Sequence, residues 1–346
     1  MTFRSALIGA NPRRASGHAA SYTHTARAEL VAVSARTAGV SSAFADRWRV
    51  PQHFTDHNRM LADVRPDIVH INVPPGARRG LLRDCDDAGV AGIILEKPIG
   101  LDSDDLRWLE DFAATTEMRI AVNHQLHFHE SRRRVAELVA GGSIGTVRTI
   151  EGSARHLLGY QGTHVLEGIL DLASAPVEWV TASAWGVEGF ADPGGHASPD
   201  SIVATLGLGY AVGIFRCGVS VAPEVTDKRA IDQHHHKRLL VTGDAGLVEW
   251  TMWGTRLIVG GAEIEVPHDY DHEDALAQAR LVDALCDWML GGAEVATSLR
   301  ASLDQFRIVL AMYRSVVEHR AVSPAAALRE KLLPELVELL SSGRPA

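Results

Sequence analysis

Apolar and polar positions follow two different rhythms along this chain. Up to about residue 123, short apolar runs are separated by segments of helical spacing. The runs Ser5–Gly9, Glu29–Ser34, Gln52–Thr55, Asp67–Val73, Ala91–Glu96 and Arg119–Asn123 read as strands. Helices are predicted over Gly17–Tyr22, Ser42–Trp48, Asn58–Val64, Arg78–Ala88 and Ser103–Thr115. Strands alternating with helices of this length predict right-handed βαβ units and a parallel sheet. Ligands of such sheets bind beyond the carboxyl ends of the strands. That singles out residues 9–14, 34–37, 72–76, 96–98 and 123–127.

The rhythm changes near Ser131. After a predicted helix over Arg132–Ala140 come many β-like runs: Val147–Ser153, Val177–Ser183, Ile202–Leu208, Ala211–Cys217, Arg238–Thr242, Leu247–Thr251, Leu257–Val259 and Glu263–Val266. Their density predicts one large, mostly antiparallel sheet. Glu273–Leu290, Ser298–Glu318 and Leu328–Leu340 carry helical apolar spacing. Asp192–Pro199 (Asp-Pro-Gly-Gly-His-Ala-Ser-Pro) reads as a surface loop. The expected organisation is an α/β chain with a Rossmann domain at 1–122, followed by an α/β domain at 123–346 with a broad open sheet and C-terminal helices.

Composition narrows the function. The 346 residues are 46% hydrophobic and 22% charged, with a net charge of -9. That is ordinary globular material, and the acidic balance argues against nucleic acid or an anionic membrane as main partner. Cys85, Cys217 and Cys286 are too few for a disulfide framework and too dispersed for a zinc knuckle, so a reducing, cytoplasmic setting is expected. No run approaches the roughly 20 apolar residues of a membrane helix.

The first loop, Gly9–Gly17, stands where a dinucleotide fold places its phosphate-binding turn, but G-x-G-x-x-G is absent. Gly9 keeps the tight turn. Pro12 has no N–H to give, and Asn11, Arg13 and Arg14 are the remaining phosphate candidates. At the end of the second strand, Ser34-Ala35-Arg36-Thr37 has no acid to hold ribose hydroxyls. Ser34, Arg36 and Thr37 would suit a 2′-phosphate, so NADP is preferred over NAD. Glu96-Lys97-Pro98 follows the fifth strand. With only four lysines against thirty arginines, a lysine at a strand's carboxyl end needs a reason, and a Lys can exchange a proton where an Arg cannot. A cis bond before Pro98 would be one device for aiming it.

These pieces occur in an order that resembles the Gfo/Idh/MocA family of nicotinamide-dependent oxidoreductases. The matching segments are His18-Ala-Ala-Ser-Tyr22 with Glu29–Val33, Asp67–Pro74, Glu96-Lys97-Pro98, Gly142-Ser-Ile-Gly145 and Gly162-Thr163-His164, with helices around Leu281–Trp288 and Leu303–Arg320. The resemblance implies a cofactor contacting Asn72, Val73, Pro74, Glu96 and Lys97. It also implies that Lys97 and His164 meet the substrate oxygen, one taking a proton and the other steadying charge. A homodimer or homotetramer is implied as well.

The chain departs from the family at three places. Tyr160 stands where the family commonly has an Asp, one helical turn before His164. It is a catalytic variant, a pocket-shaping group, or the mark of a weakly active relative. Glu167 replaces an Asp three residues after the His. His127 replaces an Arg in Asn123-His-Gln-Leu-His-Phe-His129, where Asn123, His124, Gln125 and His127, with Tyr160 and Thr163, are the substrate-binding candidates. His234, His235 and His236 form a tract, but neighbouring strand positions face opposite sides, so no metal is expected. The expected activity is alcohol–ketone interconversion on a sugar, glycoside, cyclitol or related polyol. The alternative is a non-catalytic nucleotide-binding regulator or scaffold.

Overall fold

The computed structural model describes residues 2–219, 221 and 236–343. Six parallel strands make the first sheet: β1 (Phe3–Ile8), β2 (Ala28–Ser34), β3 (Gln52–Phe54), β4 (Ile68–Ile71), β5 (Gly92–Leu95) and β6 (Arg119–Val122). Their order is β3-β2-β1-β4-β5-β6. β4 and β5 are buried at every position, because a sheet covered by helices on both faces needs continuous apolar strands rather than alternating ones. The intervening helices are α1 (Pro12–Ser21), α2 (Ala38–Trp48), α3 (His57–Val64), α4 (Arg78–Asp87) and α5 (Ser103–Thr115). Asp56 caps α3 by accepting from the Asn58 N–H at 2.8 Å, satisfying one of the donors a helix start leaves orphaned. The chain order reverses between β1 and β4, which is the switch point where an open α/β sheet forms its crevice.

The first helix begins five residues before the predicted Gly17. Pro12 is its first residue, where a missing N–H costs nothing and a fixed φ helps. The glycine loop is therefore short, running from Gly9 to Asn11.

The second sheet has eight strands: β7 (Val147–Ala154), β8 (Val180–Trp185), β9 (Ser201–Leu208), β10 (Ala211–Gly218), β11 (Lys237–Gly243), β12 (Gly246–Thr251), β13 (Gly254–Val259) and β14 (Ala262–Pro267). Their order is β14-β13-β12-β11-β7-β10-β9-β8, antiparallel throughout except β7 with β10. Strands such as β11 alternate buried and half-buried positions, as a one-sided sheet requires. The remaining helices are α6 (Glu130–Ala140), α7 (Thr163–Leu172), α8 (Tyr270–Met289), α9 (Leu299–Glu318) and α10 (Leu332–Ser341). α7 lies on β7 so closely that a Cβ at Gly152 would stand 2.9 Å from Ile169 Cδ1.

The chain divides into two compact units. One comprises residues 1–99, 110–129 and 271–302, and the other 100–109, 130–270 and 303–346. The N-terminal unit thus extends past the predicted boundary at 122 and recruits α8. Leu281, Val282, Leu285 and Cys286 pack with Phe3, Ile68, Ile94 and Ala121 in its core. Burial of each such Leu or Ile is worth about 2 kcal/mol. Among the described residues no helix is long and apolar enough to cross a membrane.

Candidate active site

In the N-terminal unit the predicted residues gather at the switch point. Gly9 has a φ of 99°, and a Cβ there would lie 2.3 Å from the carbonyl oxygen of Asn72. Only glycine permits this approach of β1 to β4. Asn72 is buried and its side-chain amide donates to the Gly9 carbonyl at 2.8 Å, fixing the turn from the other strand. Val73 and Pro74 follow at the end of β4, before a short 3₁₀ turn at Pro75–Ala77. Ser34 is buried at the end of β2, whereas Arg36 and Thr37 are exposed beyond it. Thr37 precedes α2 as its cap residue. Asn11 is exposed in the turn. The backbone of Arg13 lies in the first turn of α1, and its side chain falls outside the described residues.

This donor set fits a dinucleotide. A glycine turn opens onto a helix N-terminus, whose free N–H groups attract phosphate. Arg36, with no carboxylate at 34–37, stands at the strand end where the ribose is read.

Glu96 and Lys97 are both buried just beyond β5. One Glu96 oxygen, Oε2, takes Arg14 Nη1 at 2.6 Å. The other, Oε1, lies 2.6 Å from the Asn123 amide nitrogen and 3.0 Å from His18 Nε2. Burial works against the charged form, but Arg14, the bond from His18 and neighbouring Lys97 outweigh it. The Glu96 carboxyl is therefore held well below its ordinary range. The backbone on either side of Lys97 is clamped by Arg78. Its guanidinium donates to the carbonyls of Glu96 and Pro98, and to that of Val73 at 2.8 Å. The Lys97–Pro98 peptide bond is cis.

The structure gives Arg14 and Asn123 work that the sequence did not suggest. Arg14 pairs with Glu96, and Asn123 donates to the same carboxylate, so both serve the Lys97 turn. Gln125 donates to Asp274 at 3.3 Å, on α8. His124 is buried, and His127 is half-buried with its ring 5.1 Å from that of Phe128.

His70 carries no functional signal in the sequence because it sits inside an apolar strand. Its Nδ1 lies 3.0 Å from His18 Nδ1, and its Nε2 lies 2.6 Å from the Tyr22 hydroxyl. Burial, and then His18, hold the His70 imidazole well below its ordinary pKa. Burial also pushes the Tyr22 phenol up from its ordinary value.

In the C-terminal unit, His164 and Thr163 are buried at the start of α7. The Thr163 carbonyl accepts from Gln305 Nε2 at 2.7 Å, which ties α7 to α9. Directly before α7 the chain makes a π-helical turn over Leu158–Gly162, a widening frequent at functional sites. Tyr160 projects from that turn. Its hydroxyl donates to the Asp192 carboxylate, 3.0 Å from Oδ2 and 3.1 Å from Oδ1. Its ring lies 4.5 Å from the His156 ring and 4.2 Å from that of His196. The segment 192–199, predicted as a surface loop, is thus partly folded in: His196 is buried, and its N–H donates to Asp192 Oδ2 at 3.0 Å. The glycines of the sequence loop gave no sign of this. Gly194 is there to clear the Tyr160 hydroxyl, which would lie 2.1 Å from a Cβ.

Glu167 lies about one helical turn after His164 on α7. It pairs with the buried Arg132 at 3.4 Å, beside Asp171 at 3.6 Å, with the Arg132 guanidinium 5.6 Å from the Trp250 ring centroid. His236 is buried, its Nε2 3.4 Å from Ser153 Oγ. His234 and His235 lie outside the described residues.

Residues 3–124 match the profile of an oxidoreductase family with an NAD-binding Rossmann fold. An uncharacterised oxidoreductase of Rhizobium meliloti is 29% identical over 124 residues, a match covering 36% of this chain and 37% of that protein's length. Two solved structures share the fold of nearly the whole chain. One is an oxidoreductase from Agrobacterium radiobacter in complex with NAD+, L-tartaric acid and magnesium, at TM-score 0.80 and 17% identity, covering 95% of this chain and 100% of that one. The other is a putative myo-inositol dehydrogenase from Sinorhizobium meliloti, at TM-score 0.73 and 24% identity, covering 93% and 99%.

Proposed function

We propose that this chain, whose residues 3–124 match the Gfo/Idh/MocA oxidoreductase family with its NAD-binding Rossmann fold, interconverts an alcohol and a ketone on a polyol-like substrate with a nicotinamide cofactor. The observation that carries the reading is the Lys97 turn. A buried lysine is placed at the carboxyl end of β5, in the same unit as a glycine turn at the switch point, with its flanking backbone held by Arg78. A lysine fixed so firmly, in a chain that otherwise uses Arg, suits proton handling rather than surface charge.

The residues that would hold the cofactor are Gly9, Asn11 and Arg13 at the pyrophosphate, Ser34, Arg36 and Thr37 at the ribose, and Asn72–Pro74 with Lys97 nearer the ring. When bound, the nicotinamide supplies the hydride chemistry. Lys97 and His164 manage the substrate oxygen. One removes its proton as the carbonyl forms and the other steadies the charge. Tyr160, with its hydroxyl committed to Asp192, binds a neighbouring substrate hydroxyl as acceptor. His124 and His127 are further hydroxyl partners. The absence of an acid at 34–37 and the presence of Arg36 support NADP over NAD. The substrate class is a sugar, glycoside or cyclitol, in keeping with the family and with the inositol dehydrogenase likeness. Assembly as a homodimer or homotetramer belongs to the same reading.

The test is cofactor binding. Seven tryptophans allow quenching by NADPH and NADH to be compared. Tighter binding of NADPH, lost in Arg36→Ala, is the expected result. Binding of neither cofactor would end the enzyme reading and favour a scaffold.

A further inference from the structure

His70 has two ring nitrogens, and both are used. One faces the Tyr22 hydroxyl at 2.6 Å and the other faces His18 at 3.0 Å. A neutral imidazole has one N–H and one lone pair, so His70 donates at one end and accepts at the other. His18 continues the file to Glu96 Oε1 at 3.0 Å. Glu96 in turn receives Arg14 and Asn123. A single-file chain of side chains therefore runs from Tyr22 through β4 and α1 to the residue next to Lys97, and His18, His70 and Glu96 are all buried.

Such an arrangement is costly unless every member is satisfied. An apolar residue at 70 would match the rest of β4, where Ile68, Val69 and Ile71 are all buried. A histidine there breaks the local pattern, and broken local rules concentrate at functional sites. The carboxylate at the end of the file has two jobs. It holds Arg14, two residues into α1 from Pro12, and its own main chain is the backbone on which Lys97 is mounted.

We propose that Tyr22, His70 and His18 are positioning residues: they fix the Glu96 carboxylate in one orientation and so hold the Lys97 turn in one place. This rests on the proposed function only in taking Lys97 as the reactive group. Neither histidine touches substrate or cofactor in this account.

The chain has few lysines, which makes the claim directly measurable. Lys97 and Lys237 are buried in different units, and Lys331 is exposed. Reductive methylation of the full chain, with and without NADPH, read residue by residue by mass spectrometry, reports how often each ammonium opens to solvent. In His70→Phe, which keeps an aromatic ring and loses both nitrogens, Lys97 labelling should rise at least about threefold relative to Lys331, with Lys237 unchanged. His18→Leu should do the same. His18→Gln, whose amide can still donate to Glu96, should restore protection. Lys97 staying as protected in His70→Phe as in the wild type would overturn the proposal. So would Lys97 and Lys237 rising together, which would mean general loosening, or His18→Gln behaving like His18→Leu. The labelling needs no substrate. If cofactor binding fails while Lys97 protection follows the chain, the functional reading falls and the positioning claim stands.

Discussion

The hydroxyl of Tyr160 is bonded to both oxygens of Asp192, a residue 32 positions further along the chain. A phenol on a π-helical turn and a carboxylate on a glycine-rich loop thereby form one unit. The position four residues before His164 carries no acid of its own, but an acid reaches it from elsewhere.

The two members of that pair should not be equal in cost. Asp192→Ala removes the acceptor of both the Tyr160 hydroxyl and the His196 N–H, whereas Tyr160→Phe leaves the second bond in place. Loss of a hydrogen bond to a charged group costs about 1.5–3 kcal/mol. Urea unfolding should therefore rank Asp192→Ala as the more damaging, with Tyr160→Phe milder. The reverse order would contradict the geometry.

Acid should destabilise the protein in two stages. His70 is depressed in the fold, so the unfolded chain binds its proton first. Its contribution is complete above its ordinary value of about 6.5 and is lost as pH falls below that. Glu96 is also depressed, so its contribution is complete above about 4.3 and is lost as pH falls further. The groups facing His70 are Tyr22, His18 and, through His18, Glu96. Each proton differentially bound is worth about 1.4 kcal/mol per pH unit. Unfolding free energy measured between about pH 7.5 and 5.5 should fall less steeply in His70→Gln than in the wild type (the window is set at about one unit either side of the histidine value). Equal slopes would show that His70 is not held neutral.

Gly9→Ala should be severe. The new Cβ meets the Asn72 carbonyl, and the backbone is already at a positive φ. A loss of about 2 kcal/mol or more is expected, together with loss of NADPH quenching. Calorimetry and fluorescence check the two effects separately. A variant as stable as the wild type would mean that β1 and β4 do not approach as described.

The thiols should be silent. Burial pushes Cys85 up to about 12 and Cys286 up to about 11, and Cys217 is buried as well. A thiolate reagent applied to the native protein should find no fast-reacting group, and all three after denaturation. A fast native thiol would contradict this burial.

Much of the fold was legible because buried parallel strands are short apolar runs with helices between them. Residues 5–123 could be parsed from that rhythm, and Ser103–Thr115 was placed to the residue. The start of α1 is not legible in the sequence, because Pro12 and two arginines resemble a loop until proline is counted as a first helical residue. The same sequence rules placed Gly9, Asn72 and Lys97 at strand ends. They could not show that Arg14 and Asn123 turn toward Glu96, since ion pairs between distant elements have no local pattern. His70 was hidden by its strand, and Asp192 by a loop whose glycines read as exposure. Both partners are set by tertiary packing alone. Recruitment of α8 into the N-terminal unit was likewise invisible, because an apolar helix face does not say which sheet it covers.

Lys97 is the group on which the proposed chemistry depends. The most direct measurement pairs Lys97→Met with the wild type in one assay: NADPH binding by tryptophan quenching, and turnover of a panel of sugars, cyclitols and glycosides followed at the nicotinamide absorbance. The predicted result is cofactor affinity within about threefold of the wild type, with turnover of every wild-type substrate lowered by a factor on the order of a thousand or more. Turnover persisting in Lys97→Met at near wild-type rates would contradict it.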